Sequence, residues 1–445
     1  MFKHLVIVAA VACISAQTPV LAAVTAEEAA QLKSSLTPLG AEKAGNGDGT
    51  IPAWTGGYVK PLQGASDGKH PDPFANEKPV VSITAQNLAQ YTDKLSEGTV
   101  ALLKKYPSYR VDVYPTHRTA GAPQRVYDNT FAAATRAKST PDGLSFEGAW
   151  DAVPFPIPKS GNEVMWNHLV HPHPASVDLI FQVFVGSSDG KRSMATKGEM
   201  HELSTYYQAG GSSAKFNKVF QMYRFNTTAP VFKAGEAVVV HESLDMSIDP
   251  PAWQYLVGQR RVRRAPTVSY DTPDFMASGA NYFDEVYGFR SRLDRYNWKL
   301  IGKRELYVPY NTNRFFEVGQ DKAFVPFHTN PDQVRWELHR VWVVEATLAQ
   351  GKRHAVPKRR FYIDEDNWAV LLADGYDAEG KLWRASQVFN MIVPEAETLS
   401  TTFTVVYNLQ ANTMSAVQYV DSLKVVPPPP VSFFSGDAMS QDSAR

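Results

Sequence analysis

The sequence predicts a β-rich α+β protein built on a curved antiparallel sheet, an incomplete half-barrel around helices. Three observations predict it. From about Asp178 onward the chain alternates or runs apolar in strand-length segments broken by Gly, Asp-Gly or Pro, the pattern of strands in a partly buried sheet. The connections are short, as in Asp364-Glu-Asp-Asn367 and Asp377-Ala-Glu-Gly380, and such turns make consecutive hairpins. A meander this long accumulates twist and curls. Helix-forming segments nearer the N-terminus are then available to fill or cap the concavity.

Composition agrees. At 445 residues the chain makes one large domain or two intertwined ones. Its 45 Lys and Arg balance 45 Asp and Glu, so it lacks the basic excess of a nucleic-acid binder. Hydrophobic residues at 44% and aromatic residues at 12% are ample for a core. Thirty prolines favour a loop-rich β protein over a helical bundle.

In chain order, residues 1–22 read as a cleaved signal peptide. Lys3 and His4 precede an apolar run from Leu5 to Ala12, and Val20-Leu-Ala22 supplies a small-x-small cleavage site. Cys13, the only cysteine, falls inside it. A lipoprotein signal acylated on Cys13 is the competing reading, but Ala10-Val-Ala12 lacks the usual leucine. No 18-residue apolar run occurs elsewhere. The expected location is therefore the periplasm.

Residues 23–176 are expected to form N-terminal helices and an extended arm packed on the sheet. Thr25 caps a first helix with early acids. Gly45-Asn-Gly-Asp-Gly-Thr-Ile-Pro-Ala-Trp54 resembles part of a calcium loop, but Ala44 and Thr55 stand where its first and twelfth ligands need acids. A tight turn that seats Trp54 is the simpler role. Residues 58–82 read as an extended surface arm. Thr84–Lys105 reads as a helix, Tyr109–Tyr114 as a short strand, Pro123–Lys138 as a helix and Pro154–Pro158 as extended chain. Residues 177–430 make the half-barrel core, and 431–445 a frayed, flexible tail.

Two strands stand out. Trp253-Gln-Tyr-Leu-Val-Gly-Gln-Arg-Arg-Val-Arg-Arg264 reads as one long strand running from an apolar segment into four arginines. Alternation puts Trp253 and Tyr255 on one face. It also pairs Arg261 with Arg263 and Arg260 with Arg264, leaving open which pair faces inward. In Arg335–Glu345, Trp336, Leu338, Trp342 and Val344 share a face, while Arg335, Glu337, His339 and Glu345 line the other. One face dry and the other wet is expected of a sheet covered on one side.

Catalytic patterns are missing. His168, His171 and His173 lie close together, but Pro172 and Pro174 break the helical turn that a zinc site would use. No Gly-x-Ser-x-Gly, Gly-x-Gly-x-x-Gly or Gly-Lys-Ser/Thr occurs. Asp364, Glu365, Asp366, Asp374 and Asp377 fall in or beside turns, where turn chemistry explains them. No catalytic residue, metal or cofactor is predicted. A curved aromatic sheet with arginines at its rim instead suits an apolar molecule bearing an acidic group. The candidate ligand-binding residues are Trp253, Tyr255, Arg260, Arg261, Arg263, Arg264, Trp336 and Trp342.

Four stretches, Ala44–Gly57, Leu256–Tyr270, Tyr296–Lys303 and His339–Glu345, resemble an uncharacterised, domain-of-unknown-function family of exported proteobacterial proteins. The resemblance covers nearly the whole mature chain. Arg260-Arg-Val-Arg-Arg264 is also similar to a strand of the outer-membrane lipoprotein-sorting, LolA-like superfamily. That resemblance implies an incomplete antiparallel barrel enclosing helices and a hydrophobic cavity for acyl chains. It further implies partnership with an inner-membrane resistance–nodulation–division type exporter and an outer-membrane protein. The expected function is a periplasmic carrier of a lipid or other hydrophobic molecule. The alternatives are a periplasmic hydrolase using His171 or His173, and an adaptor of an envelope complex that binds no small ligand.

Overall fold

The computed structural model describes residues 24–211, 213–249, 251–265 and 269–443. The expected leader, residues 1–22 with Cys13, lies outside them. One large sheet of 15 strands organises the chain. In chain order its strands are Val81–Ile83 (β1), Val111–Val113 (β2), Ser176–Gly186 (β3), Arg192–Ser204 (β4), Val219–Ala229 (β5), Ala237–Ser243 (β6), Ala252–Leu256 (β7) and Arg261–Arg264 (β8). Then follow Tyr296–Pro309 (β9), Trp336–Leu348 (β10), Lys358–Asp364 (β11), Val370–Tyr376 (β12), Leu382–Val393 (β13), Thr398–Asn408 (β14) and Thr413–Val425 (β15).

Two meanders are joined edge to edge. One runs β10 to β15 and the other β3 to β8, and β15 pairs with β3. β9 adds to β10, and β1–β2 joins the same end through a parallel contact of Val113 with Trp336. The other described pairings are antiparallel. The sheet is curved but not closed into a barrel, since β8 at one end and β1 and β9 at the other do not pair. Strands from residues 81–113 thus belong to the sheet, which is not confined to 177–430.

Both faces are covered. The larger core includes Phe181, Phe315, Leu338, Phe389, Phe403 and Tyr419; we term its side the inner face. Helix Gly161–Leu169, absent from the sequence reading, packs with Trp298, Phe361 and Trp368 on the outer face. This overturns the expected dry-and-wet split of β10. Arg335 and His339 are buried, and Glu337 is 0% exposed, because the N-terminal segment lies over them. β12 is buried along its whole length.

Other expectations change too. Residues 84–105 hold a helix only at Glu97–Lys105, preceded by two short 3₁₀ turns. Ser96 caps that helix and breaks the register. The tail does not fray through the described residues. Helix Gly436–Ser443 follows, and Phe434 and Met439 are buried against Leu203, Met222 and Val239. The Gly45–Trp54 loop is a turn: Asp48 accepts from Thr50 N at 3.0 Å, and Trp54 Nε1 donates to Ala120 O at 2.9 Å.

Helix Glu97–Lys105 sits N-terminus down on β12. Gly98 N donates to Asp374 Oδ1 at 2.9 Å, and Tyr362 OH donates to Oδ2 at 3.0 Å. Burial nonetheless pushes the Asp374 carboxyl up to about 7. A buried acid that holds its proton more tightly folded than unfolded stabilises most below its ordinary value near 3.8. That stabilisation is lost as pH rises toward about 7. Asp374→Asn should therefore flatten the fall in unfolding free energy between acid and neutral pH by on the order of 4 kcal/mol. Urea titrations across that pH range check it; an unchanged slope would refute the assignment.

Candidate ligand-binding site

The inner faces of β5, β6 and β15 and the segment Ser269–Arg295 line a partly open cavity of about 90 Å³. Tyr223 pairs across the strands with Val240, and Phe225 with Val238. Residues two apart share a face, so these four make a continuous apolar wall, extended by Val417. Phe275, Met276, Phe283, Val286 and Tyr287 cover it from the opposite side. The lining is mostly aliphatic and aromatic, as ligand pockets are, with a few polar groups converging on it.

Arg290 is the central polar group. It also borders two smaller chambers, of about 40 and 20 Å³. Its guanidinium lies 5.2 Å from the Phe220 ring centre and 5.3 Å from that of Tyr223. Nη1 donates to Leu169 O at 3.3 Å. Nε is 3.1 Å from Glu242 Oε2, an ion pair without hydrogen-bond alignment, and Nη2 has no hydrogen-bond partner. Burial opposes the charge, but Glu242 and its neighbours outweigh that and raise the pKa, so Arg290 stays protonated. Next to it burial pushes the Glu202 carboxyl up to about 7. The hydroxyls of Tyr287, Thr401 and Thr402 are buried and unpartnered. Such an excess of unsatisfied donors is unusual in a protein interior and leaves room for an acceptor.

The cover is fastened to the sheet by ion pairs. Asp284 accepts from Arg359 Nη2 at 2.9 Å and from His354 Nε2 at 2.8 Å. Glu285 takes a two-pronged bond from Arg384. Thr404 Oγ1 accepts from Tyr287 N at 2.9 Å. At Gly288 (φ +79°) a Cβ would lie 2.4 Å from Val370 Cγ1, so the chain can approach the sheet there only without a side chain.

A family model described as a protein of unknown function, DUF1329, matches residues 82–440, which span the sheet, the cavity and its cover. The chain belongs to the DUF1329 family. It is 42% identical over 375 residues to an uncharacterised Pseudomonas aeruginosa protein, covering 83% of this chain and 82% of the relative. Among solved structures it is similar to an outer-membrane lipoprotein-sorting protein domain from Vibrio parahaemolyticus. That match has 13% identity and TM-score 0.44, covering 62% of this chain and 97% of that one. A DUF1329 family protein from Desulfovibrio piger matches at 14% identity and TM-score 0.42, covering 60% and 92%. A LolA superfamily protein from Nitrosomonas europaea matches at 13% and 0.38, covering 63% and 100%.

In this DUF1329 protein the sequence-derived candidates do not gather at the cavity. The stretch from Trp253 to Arg264 is not one strand but a hairpin, β7–β8. It turns at Val257–Arg260, where both Gln259 N and Arg260 N donate to Leu256 O at 3.0 Å and Arg260 adopts φ 49°. Trp253 and Tyr255 share the outer face with Val239 and pack on Phe434 and Met439. Arg264 stacks over Trp253 at 5.3 Å. Arg261 and Arg263 lie opposite Leu256 and Gln254, and Gln254 faces the same way as Val238 of the cavity wall. That pair therefore takes the inner side, but at the exposed edge. Arg260 is exposed in the turn. Trp336 is buried in the larger core, and Trp342 stacks on Trp368 at 6.1 Å with Lys303 above it.

The three histidines are bound into the structure. His168 Nε2 donates to Phe289 O at 2.9 Å and Nδ1 accepts from Val370 N at 3.1 Å, which fixes one tautomer. His171 Nδ1 donates to His168 O and His173 Nδ1 to His171 O, both at 2.6 Å. Burial lowers His168 and His173 to about 4 and His171 in the same direction, so all three are neutral at pH 7.

Asp377, after β12, follows turn chemistry, accepting from Glu379 N and Lys381 N. In the β11–β12 turn Asp364 Oδ2 likewise accepts from Asn367 N at 3.2 Å, but Asp364, Glu365 and Asp366 are also buried, which the turn reading did not anticipate. His339, Asp364 and Asp366 each offer an atom within 4.8 Å of the others, a spacing that could hold a metal ion. Other partners already account for most of those atoms. Arg118 forks onto both oxygens of Asp366, and Tyr310 OH donates to Asp364 Oδ2 at 2.8 Å.

Proposed function

We propose that this DUF1329 protein is a periplasmic binding protein that carries a lipid or other hydrophobic molecule. The observation that supports it is the apolar cavity under a separately fastened cover, with Arg290, whose Nη2 has no hydrogen-bond partner, at its end. Among the described residues no helix is long and apolar enough to cross a membrane. At about 90 Å³ the cavity exceeds the space of a water but is smaller than the roughly 150 Å³ that admits benzene. Loading a long chain therefore requires the cover to lift, and the polar end of the cargo would meet Arg290. The exporter and the outer-membrane protein implied by the sequence resemblance would be donor and acceptor; in vivo crosslinking tests that part.

The expected result is a co-purifying lipid-sized mass when the protein is taken from its own envelope into native mass spectrometry. Val238→Phe fills the cavity wall. It should weaken binding of a fluorescent long-chain probe by about tenfold or more, the equivalent of losing about 1.4 kcal/mol of apolar contact. A variant that stays folded and binds like the parent would place the ligand elsewhere.

A further inference from the structure

The two hairpins nearest the cavity end side by side. Ala237, first residue of β6, lies opposite Tyr255 of β7. The β5–β6 tip at residues 230–236 and the β7–β8 tip at 257–260 therefore project from the same end of the sheet. A Cβ on Gly235 would lie 3.5 Å from Val257 Cγ2, so the two tips touch. The first tip carries Val231 at 92% exposure and Phe232 at 77%, the two most exposed large hydrophobic side chains described. The second adds half-exposed Val257, followed by Arg260, Arg261, Arg263 and Arg264, all exposed. Between Val257 and Arg264 there is no acid.

We propose that this end of the sheet docks on an anionic phospholipid bilayer. Val231 and Phe232 enter the acyl boundary while the arginines contact headgroup phosphates. A protruding apolar tip ringed by cations has the composition of an interfacial anchor. Two side chains are far too small a patch for a stable protein interface, which needs about 800 Å² on each side. Arginine also forms bidentate contacts with phosphate. The first tip holds a single acid, Glu236, at the hairpin base, against the four arginines of the second. Lys233, in the same tip, turns inward. Its Nζ donates to Phe275 O at 3.2 Å and Ala195 O at 3.3 Å, which ties the tip to the cavity cover. Docking would thus bring the cover to the membrane surface. The proposal does not depend on the identity of any cargo.

Co-sedimentation of the full chain tests it, with vesicles of phosphatidylglycerol mixed into phosphatidylcholine against vesicles of phosphatidylcholine alone. Binding is expected on the mixed vesicles only and should weaken as salt is added. Each cation near an anionic surface is worth about fivefold in affinity. Arg261→Glu/Arg263→Glu should therefore weaken binding by at least about twentyfold. Phe232→Asp should weaken it comparably, and both variants should melt like the parent because these side chains are exposed. Phe232→Trp should show a blue-shifted emission on the mixed vesicles. A parent protein that ignores anionic vesicles, variants that bind like it, or an unshifted tryptophan would each overturn the proposal.

Discussion

Arg118→Ala is expected to cost about 3–5 kcal/mol of folding free energy, the usual penalty for breaking a buried ion pair by deleting one partner. The Arg118 side chain is 3% exposed and that of Asp366 is 4%. Nε and Nη2 donate to Asp366 at 3.0 and 2.6 Å, and Nη2 also donates to Glu42 O at 2.7 Å. Nη1 lies 3.3–3.5 Å from the carbonyls of Lys43, Ala44 and Pro52. One guanidinium therefore pins the Glu42–Trp54 loop to the β11–β12 turn. Without it Asp366 is left beside Asp364, whose carboxyl burial and that neighbouring charge already push up to about 7. Urea unfolding should show the loss. Proteolysis of the folded variant should begin in residues 42–54. Arg118→Lys keeps the charge but not the fork and should recover less than half of the loss. A cost below about 1 kcal/mol for the alanine variant, the size of a surface pair, would show that the fork is dispensable.

The same cluster shows where sequence reading stops. Strand alternation marked the sheet from about Asp178 onward and the extent of β10, because period-two patterning records a half-buried strand. It could not say how many faces are buried. Asp364, Glu365 and Asp366 looked like turn residues because turns usually meet water. Here residues 36–54, hundreds of positions away, lie over the turn and supply Arg118's carbonyl partners and Glu42 N, which donates to Glu365 Oε1 at 3.1 Å. Charge in the sequence carries no record of such a partner. The β7–β8 hairpin was legible in Gly258, yet the alternation of Trp253, Tyr255 and Val257 outweighed it. Arg290 had no local signal at all. It lies in a short stretch, Tyr287-Gly-Phe-Arg-Ser-Arg292, outside any strand, and its importance comes from three chambers that meet there only after the sheet has curved.

Asp284→Ala is expected to release the cavity cover while leaving the sheet intact. Asp284 is 1% exposed and bridges Arg359, 3% exposed, and His354. Burial works against its charge, but Arg359 and His354 prevail and hold its pKa down at about 2. Removing the carboxylate strands Arg359, whose Nη1 already lacks a partner, and should cost about 3–5 kcal/mol. The cover is held to the sheet by separate bonds, Thr196 Oγ1 to Met276 O, Arg359 to Asp284, Arg384 to Glu285 and Tyr287 N to Thr404 Oγ1, whereas the strands are laced to one another along their length, so local opening is the cheaper route. Amide hydrogen exchange should accelerate across residues 269–295 by about a hundredfold or more, given that each 1.4 kcal/mol is tenfold, with β12 to β14 unchanged. The parent should show the same opening in acid. A depressed carboxyl stabilises above its ordinary value near 3.8, and that stabilisation is lost as pH falls toward about 2. If the cover gates the cavity, the variant will also take up a long-chain probe faster, with release accelerated in proportion. Exchange that rises uniformly over the whole sheet would mean that the segment unfolds only with the protein and is no cover.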